Sequence, residues 1–281
     1  MEDYLDPRND IVFNLFFSRP KNKGLLISFL NAVITPKSPI IEVTLINNKL
    51  ENELVEEKSS ILDVLIELED KSRIDVEMQM QSEPAFRSRI LLYWAKLHQT
   101  QLKRGEDYHE VLPTISIAVL AYNEFREDKT RMHSIFELRE INDGGLFNSD
   151  LQLHFLELPK LNEWKKKNEH PLLIEAWARF FKIQGATPEE IKTLSKEPIM
   201  NQAIKALAEL SRDPSAKELA EMREKSKFNL GLIKGGAFKM GEAEGIARSV
   251  TLLANKKYKP EEIADLLEME LDEVIKIITQ S

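Results

Sequence analysis

The chain has 281 residues, 42% hydrophobic and 31% charged, which is enough apolar material for one large domain or for a core with appendages. No apolar run is long enough to span a bilayer, the acidic start Met1-Glu2-Asp3-Tyr4 does not read as a secretory signal, and the absence of cysteine excludes disulfides and thiolate zinc sites. A net charge of -8 argues against a generic nucleic-acid coat but leaves room for local basic surfaces, and a reducing cytoplasm is the simplest location, although a cysteine-free chain is also compatible with export.

Apolar residues recur at helical spacing over 9–33: Phe13, Phe16 and Phe17, then Leu25, Leu26, Phe29 and Leu30. Arg19-Pro20 breaks this helix, and Arg19, Lys21 and Lys23 form a small basic cluster. Thr35 to Pro39 is a connector, Ile40 to Ile46 alternates like a strand, and Asn47-Asn48 reads as a turn. The acidic stretch Glu51 to Glu57 is expected on the surface.

Two alternating runs follow, Ile61 to Leu68 and Arg73 to Met80, separated by a short polar turn. Leu62, Val64, Ile66 and Leu68 share a face with Ile74, Val76, Met78 and Met80. The other parity carries Asp63 and Glu67, then Asp75, Glu77, Gln79 and Gln81. A hairpin turning near Asp70 sets Asp63 opposite Glu77, Leu65 opposite Asp75 and Glu67 opposite Arg73, with opposed Cβ atoms about 5 Å apart. Two carboxylates so placed repel unless a cation lies between them, and all-oxygen ligation suits Mg²⁺ or Mn²⁺. Spacing alone is met equally well by a half-buried hairpin with a solvated polar face. Two features weigh against that plain reading: Leu65 interrupts the polar face, and no lysine or threonine stands among its acids and glutamines.

Ser82-Glu83-Pro84 opens a helix running to about Arg104 and ended by Gly105, with Tyr93, Trp94 and Leu97 in its apolar stripe. Arg87, Arg89, Lys96, Lys103 and Arg104 make this segment locally basic. Ile115 to Leu120 reads as a buried strand. Glu137 to Gly145 reads as surface, with Asp143-Gly144-Gly145 a turn. Leu151 to Leu158 alternates and is expected to add a strand. From Pro159 to about Glu224 the chain is helical and charged, and Trp164, Trp177, Phe180 and Phe181 are read as packing or lid residues.

Glycines at 231, 235, 236, 241 and 245 do not make a phosphate loop, because no Lys-Ser/Thr follows Gly241. Mixed with Ala237, Ala243 and Ala247, they could let helices approach closely or form a flexible arm. Residues 249–280 read as a helical hairpin, with Glu268 where glycine is usual. Asp272 and Glu273 open its second helix and suit phosphate poorly, which favours protein contact over base reading. The five histidines form no metal-spaced motif, and neither a Gly-x-Ser-x-Gly elbow nor a dinucleotide fingerprint occurs.

Several ordered segments carry a resemblance. They are Asp10-Ile11-Val12-Phe13-Asn14-Leu15-Phe16, Phe29-Leu30-Asn31, Lys58 before Leu62-Asp63-Val64, Val76-Glu77-Met78-Gln79, Phe86 with Arg89 and Tyr93, and Gln101 through Tyr108. Asp63 followed fourteen residues later by Glu77-Met78-Gln79 resembles the D…(D/E)-x-K site of PD-(D/E)XK nucleases. The whole series is similar to the recombination-promoting nuclease (Rpn) family, also described as PD-(D/E)XK nuclease family transposases. It covers about residues 6–125 well and the remainder loosely.

The resemblance implies an α/β fold with a restriction-endonuclease-like αβββαβ core and helical C-terminal additions. Its domains would be a nuclease core at 1–158, a charged helical region at 159–225 and a glycine-containing, helix-turn-helix-like tail at 226–281. It implies a Mg²⁺-dependent DNA endonuclease, Mn²⁺ substituting, that promotes recombination or transposition and needs no nucleotide cofactor. Asp63, Glu77 and the Met78 main-chain carbonyl would hold the metal, which would polarise the scissile phosphate and lower the pKa of a water. Gln79 stands where the superfamily has lysine, so it orients water but supplies no charge, and Lys58 is the expected substitute. Asp10 matches a helix acid that approaches the metal, although Asn14 replaces the family's lysine beside it. Arg87, Arg89 and Lys96 would touch DNA phosphates. A homodimer is expected, since two-fold symmetry suits cutting both strands and Leu252, Leu253, Ile263, Leu267 and Val274 need a partner surface. The alternatives are a catalytically weak or inactive DNA-binding or regulatory protein on the same fold, and a protein-interaction module built on the helical region and tail.

Overall fold

A computed structural model describes residues 4–46, 64–102, 105, 107–167 and 172–280. Asn9 caps the first helix, α1 (Asp10–Phe17), its side chain accepting from the Ile11 and Val12 amides. The expected break at Arg19-Pro20 is a single 3₁₀ turn, Pro20–Asn22. Asn22 donates to the Phe16 carbonyl at 2.7 Å, satisfying a helix-end acceptor before α2 (Lys23–Ile34) begins.

The strands are β1 (Val43–Leu45), β2 (Val64–Leu68), β3 (Arg73–Gln79), β4 (Thr114–Leu120), β5 (His133–Glu137) and β6 (Leu151–Glu157), in the sheet order β1-β2-β3-β4-β6-β5. β1, β2 and β3 are antiparallel neighbours, β3–β4 and β4–β6 are parallel, and β5 lies antiparallel on β6. The hairpin register is the expected one where it is described: Leu65 faces Asp75 and Glu67 faces Arg73. Helix α3 (Phe86–Gln99) connects β3 to its parallel neighbour β4. The helix–strand–strand–strand–helix–strand core is thus present, with further helices after β6.

Both faces of the sheet are covered. Val64, Ile66, Ile74, Val76, Met78, Ile117 and Val119 belong to the larger core cluster with α1, α2 and the helices α4 (Leu161–Lys167), α5 (Leu173–Phe181), α6 (Pro188–Leu194) and α7 (Pro198–Arg212). Phe17 is central: its ring lies 4.9–6.4 Å from Phe13, Phe16, Phe29, Trp177 and Phe181. Each such aromatic pair adds roughly 0.5–1.5 kcal/mol beyond area burial. The aromatics of the charged helical stretch are therefore core residues, Trp177, Phe180 and Phe181 being fully buried.

On the opposite face α3 packs against β3 and β4, burying Phe86 and Ile90 with Ala118, Leu120 and Phe155, and Leu97 with Leu65. This replaces the solvated polar face that spacing alone allowed. The connector 121–131 is held by a buried pair. Glu157 accepts from the Glu124 and Phe125 amides and from Lys160 Nζ, and Lys160 also donates to the Phe125 carbonyl.

The basic residues after α1 are neutralised: Arg19 pairs with Asp213, Lys21 with Glu209 and Lys23 with Glu42. The strand β5 was not expected. It is an edge strand with Ile135 and Phe136 exposed, so it lacks the apolar alternation that marks a buried one.

The fold divides into residues 1–223 and 224–281, the division falling within the long helix α8 (Pro214–Asn255). The second unit has its own small core. Val250, Ile263 and Val274 are buried, and Leu253, Leu267 and Ile277 pack on them from α8, α9 (Pro260–Leu267) and α10 (Leu271–Gln280). The expectation that these apolar positions lack a partner within the chain is corrected here, because they cover one another; Leu252 alone of the named set is exposed. Glu268 adopts the left-handed conformation that usually selects glycine, with φ 51°.

Candidate active site

The odd-numbered residues of β3 face α3. Asp75 and Glu77 are 2% and 6% exposed. In the parallel register Asp75 lies beside Ser116 and Glu77 beside Ala118, so their neighbours on β4 are small. Gln79 donates from Nε2 to Glu77 Oε2 at 3.3 Å. Across the recess Arg89 of α3 brings Nη2 to 3.9 Å from Glu77 Oε2, while its Nη1 is tied to Glu83. Glu83 lies on the β3–α3 connection, where Ala85 caps the helix at φ 61°.

This recess holds polar atoms that are buried yet make no hydrogen bond among the described residues. They are Asp75 Oδ1, Glu77 Oε1, Ser116 Oγ, Tyr122 Oη and Arg89 Nε and Nη2. Burial pushes the Asp75 carboxyl well above the usual carboxylate range, and the negative charge of Glu77 adds to it. Burial also raises Glu77, partly offset by Arg89 and by the hydrogen bond from Gln79, while Glu83 pushes it further up. The Tyr122 hydroxyl is held above its ordinary value by burial and by Glu124, Glu77 and Glu83, against Arg89.

Buried carboxylate oxygens without a donor are unfavourable as anions. Here two of them, with a serine hydroxyl, present an all-oxygen set of the kind hard divalent cations take. The residues present fit such an ion. Among the described residues no group of three metal-ligating side chains stands together; Asp63 and Lys58, the expected first carboxylate and the expected charge donor, lie outside the described residues.

The other expected residues are dispersed. The Met78 side chain is buried in the larger core. Asp10 accepts from Arg223 of α8 at 2.5 and 2.8 Å. Arg87 pairs with Glu124 at 2.7 Å, donates to its carbonyl and lies 4.6 Å over the Phe125 ring. Lys96 is half-buried on the last turn of α3.

Alternation places Asp75 on the face of Glu77 but gives it no role in the site; Ser116 and Tyr122 carry no signal in the sequence. Spacing also hid a histidine pair: His133 Nε2 and His154 Nδ1 lie 3.1 Å apart, on neighbouring strands. Burial lowers them to about 4 and about 3, so both are neutral at pH 7.

A model of the PD-(D/E)XK nuclease family transposases matches residues 7–232, and the chain belongs to that family. No curated protein matches, and no solved structure matches. Membership implies nuclease chemistry on DNA, and nucleases of this superfamily generally use divalent metal ions.

Proposed function

From that family membership we propose that the protein is a Mg²⁺-dependent DNA endonuclease of the Rpn type, hydrolysing phosphodiester bonds in the cytoplasm and so promoting recombination or transposition. The observation that carries this reading is the buried Asp75–Glu77 pair: Asp75 Oδ1 and Glu77 Oε1 have no hydrogen-bond partner among the described residues, while Glu77 Oε2 faces Gln79 and Arg89. Glu77, the Met78 main-chain carbonyl and Asp63 would hold the ion. When bound, the ion supplies Lewis-acid polarisation of the phosphate and a lowered pKa for the attacking water.

The chain's own residues prepare that chemistry. Gln79 fixes the orientation of Glu77 through Oε2, and Oε1 has no hydrogen-bond partner among the described residues. Burial raises the Asp75 carboxyl well above the usual carboxylate range, which lessens the charge it sets next to Glu77. Arg87, Arg89 and Lys96 lie on α3 and would meet DNA phosphates, and Asp10 would support the site from α1. A homodimer would present two such centres with the symmetry of a duplex.

A second reading rests on Gln79: with an amide where the superfamily has lysine, the protein would bind DNA and cut it weakly or not at all. Plasmid nicking with and without Mg²⁺ tests both. Conversion of supercoiled to open-circular or linear DNA only with the metal supports the endonuclease; retarded but intact plasmid supports the second reading.

A further inference from the structure

We propose that Arg89, with the hydroxyl of Tyr122, is the catalytic cation of this site, holding the charge of the scissile phosphate where the superfamily uses the lysine that Gln79 replaces. The inference rests on the endonuclease reading and assigns the missing charge to α3 instead of Lys58.

Four observations carry it. First, Gln79 is committed to Glu77 and carries no charge. Second, Arg89 is anchored at one end only. Glu83 takes Nη1 and the Phe86 ring lies 5.3 Å from the guanidinium carbon, whereas Nε and Nη2 are buried and make no hydrogen bond among the described residues. A guanidinium fork with two unused N–H directions matches two phosphate oxygens. Third, Nη2 stands 3.9 Å from Glu77 Oε2. That is too far for a hydrogen bond, yet close enough for one phosphate to meet both the guanidinium and an ion held by Glu77. Fourth, the Tyr122 hydroxyl is a buried donor without a partner among the described residues, on the segment just after β4, within electrostatic reach of Glu77 and Arg89. Its ring is fixed edge-on against Phe86, 6.3 Å between centroids.

Donors already in place in this buried recess stabilise an anion that arrives later. A phosphoryl group gaining charge in the transition state is such an anion, and donors already in place need no rearrangement to meet it. Arg89 differs in this from Arg87, whose guanidinium is already used by Glu124 and Phe125.

The test is cleavage of plasmid DNA under saturating and limiting substrate, with binding measured separately on an uncleaved duplex in Ca²⁺. Arg89→Ala is expected to lower kcat about 100- to 1,000-fold, with duplex affinity reduced only slightly. Arg89→Lys recovers part of the rate. Free guanidinium added to Arg89→Ala also recovers part, which an unfolded variant cannot do. Tyr122→Phe is expected to cost about tenfold in kcat. Adding Gln79→Lys to Arg89→Ala restores cleavage by returning the charge to β3. An Arg89→Ala variant with unchanged kcat and a raised KM would make Arg89 an ordinary phosphate-binding residue and overturn the inference alone. A wild-type protein that cuts no DNA with Mg²⁺ or Mn²⁺ overturns the endonuclease reading first.

Discussion

Adding Mg²⁺ should stabilise the unit Met1–Arg223, and the effect should grow with pH. Asp75 and Glu77 both titrate higher in the folded chain than in an unfolded one, chiefly through burial. In the metal-free protein these two groups therefore contribute stability that is fully present below the ordinary carboxylate range and is lost as pH rises through the folded values. A divalent ion favours the ionised carboxylates and reverses that loss. At an ion concentration about 100 times Kd the gain is about 2.7 kcal/mol. For a unit of this size each kcal/mol moves Tm by roughly 2–4 °C, so a shift of about 5–11 °C is expected. All three tryptophans, Trp94, Trp164 and Trp177, belong to this unit, so intrinsic fluorescence reports its melting. Glu77→Gln should remove the shift and raise the metal-free Tm on the alkaline side, since it deletes a buried charge while an amide oxygen still accepts from Gln79. An equal Mg²⁺ shift in Glu77→Gln, or one that does not grow between about pH 5 and pH 8, would refute the assignment of the ion to Glu77.

Asp63→Ala should abolish plasmid cleavage without lowering the melting temperature, because it removes a metal ligand and a repulsive charge together; an unchanged rate would remove Asp63 from the site. Gln79→Ala should slow cleavage less than Asp63→Ala does, while Gln79→Lys should keep or raise the rate. A larger loss from Gln79→Ala would mean that the two roles are misassigned. Charge reversal at Arg87 or Lys96 should weaken binding to all sequences and lower the slope of log K against log salt by about one unit for each phosphate no longer neutralised; normal binding would leave those residues merely solvated. Light scattering should find a dimer for the full chain and a monomer after truncation beyond Arg223, because Phe228, Leu232 and Phe238 of α8 are exposed; a monomeric full chain at micromolar concentration with DNA present would sink the dimer.

Much of the sheet was legible because β2 and β3 alternate strictly, and a one-residue slip would turn Val64, Ile66, Ile74 and Val76 outward. The break at Pro20 and the helix after Pro84 were equally local signals. What lay between elements was not legible. The covering of Asp75 and Glu77 depends on where α3 lands, and only Leu65 hinted at it. Asp10 meeting Arg223, and Arg19 meeting Asp213, span about two hundred residues and leave no periodic trace. Arg87 and Arg89 look alike in sequence, yet one is latched to Glu124 and the other reaches Glu77.

That last contrast follows from the topology. A parallel β3–β4 pair requires a crossover, and α3, packed on both strands, is that crossover. Its first turns therefore lie on the odd-numbered face of β3, beside the carboxyl groups, while the chain leaving β4 returns Tyr122 to the same recess. Helix periodicity separates the two arginines: two positions apart is about 200° around the axis, so they point to opposite sides. The element that shields the carboxylates from water also carries the Arg89 guanidinium, tied to Glu83 through Nη1 alone among the described residues, so a loss of charge on β3 at Gln79 can be offset from α3 without altering the sheet. Restoring cleavage in Arg89→Ala by Gln79→Lys would show directly that the two positions supply one charge.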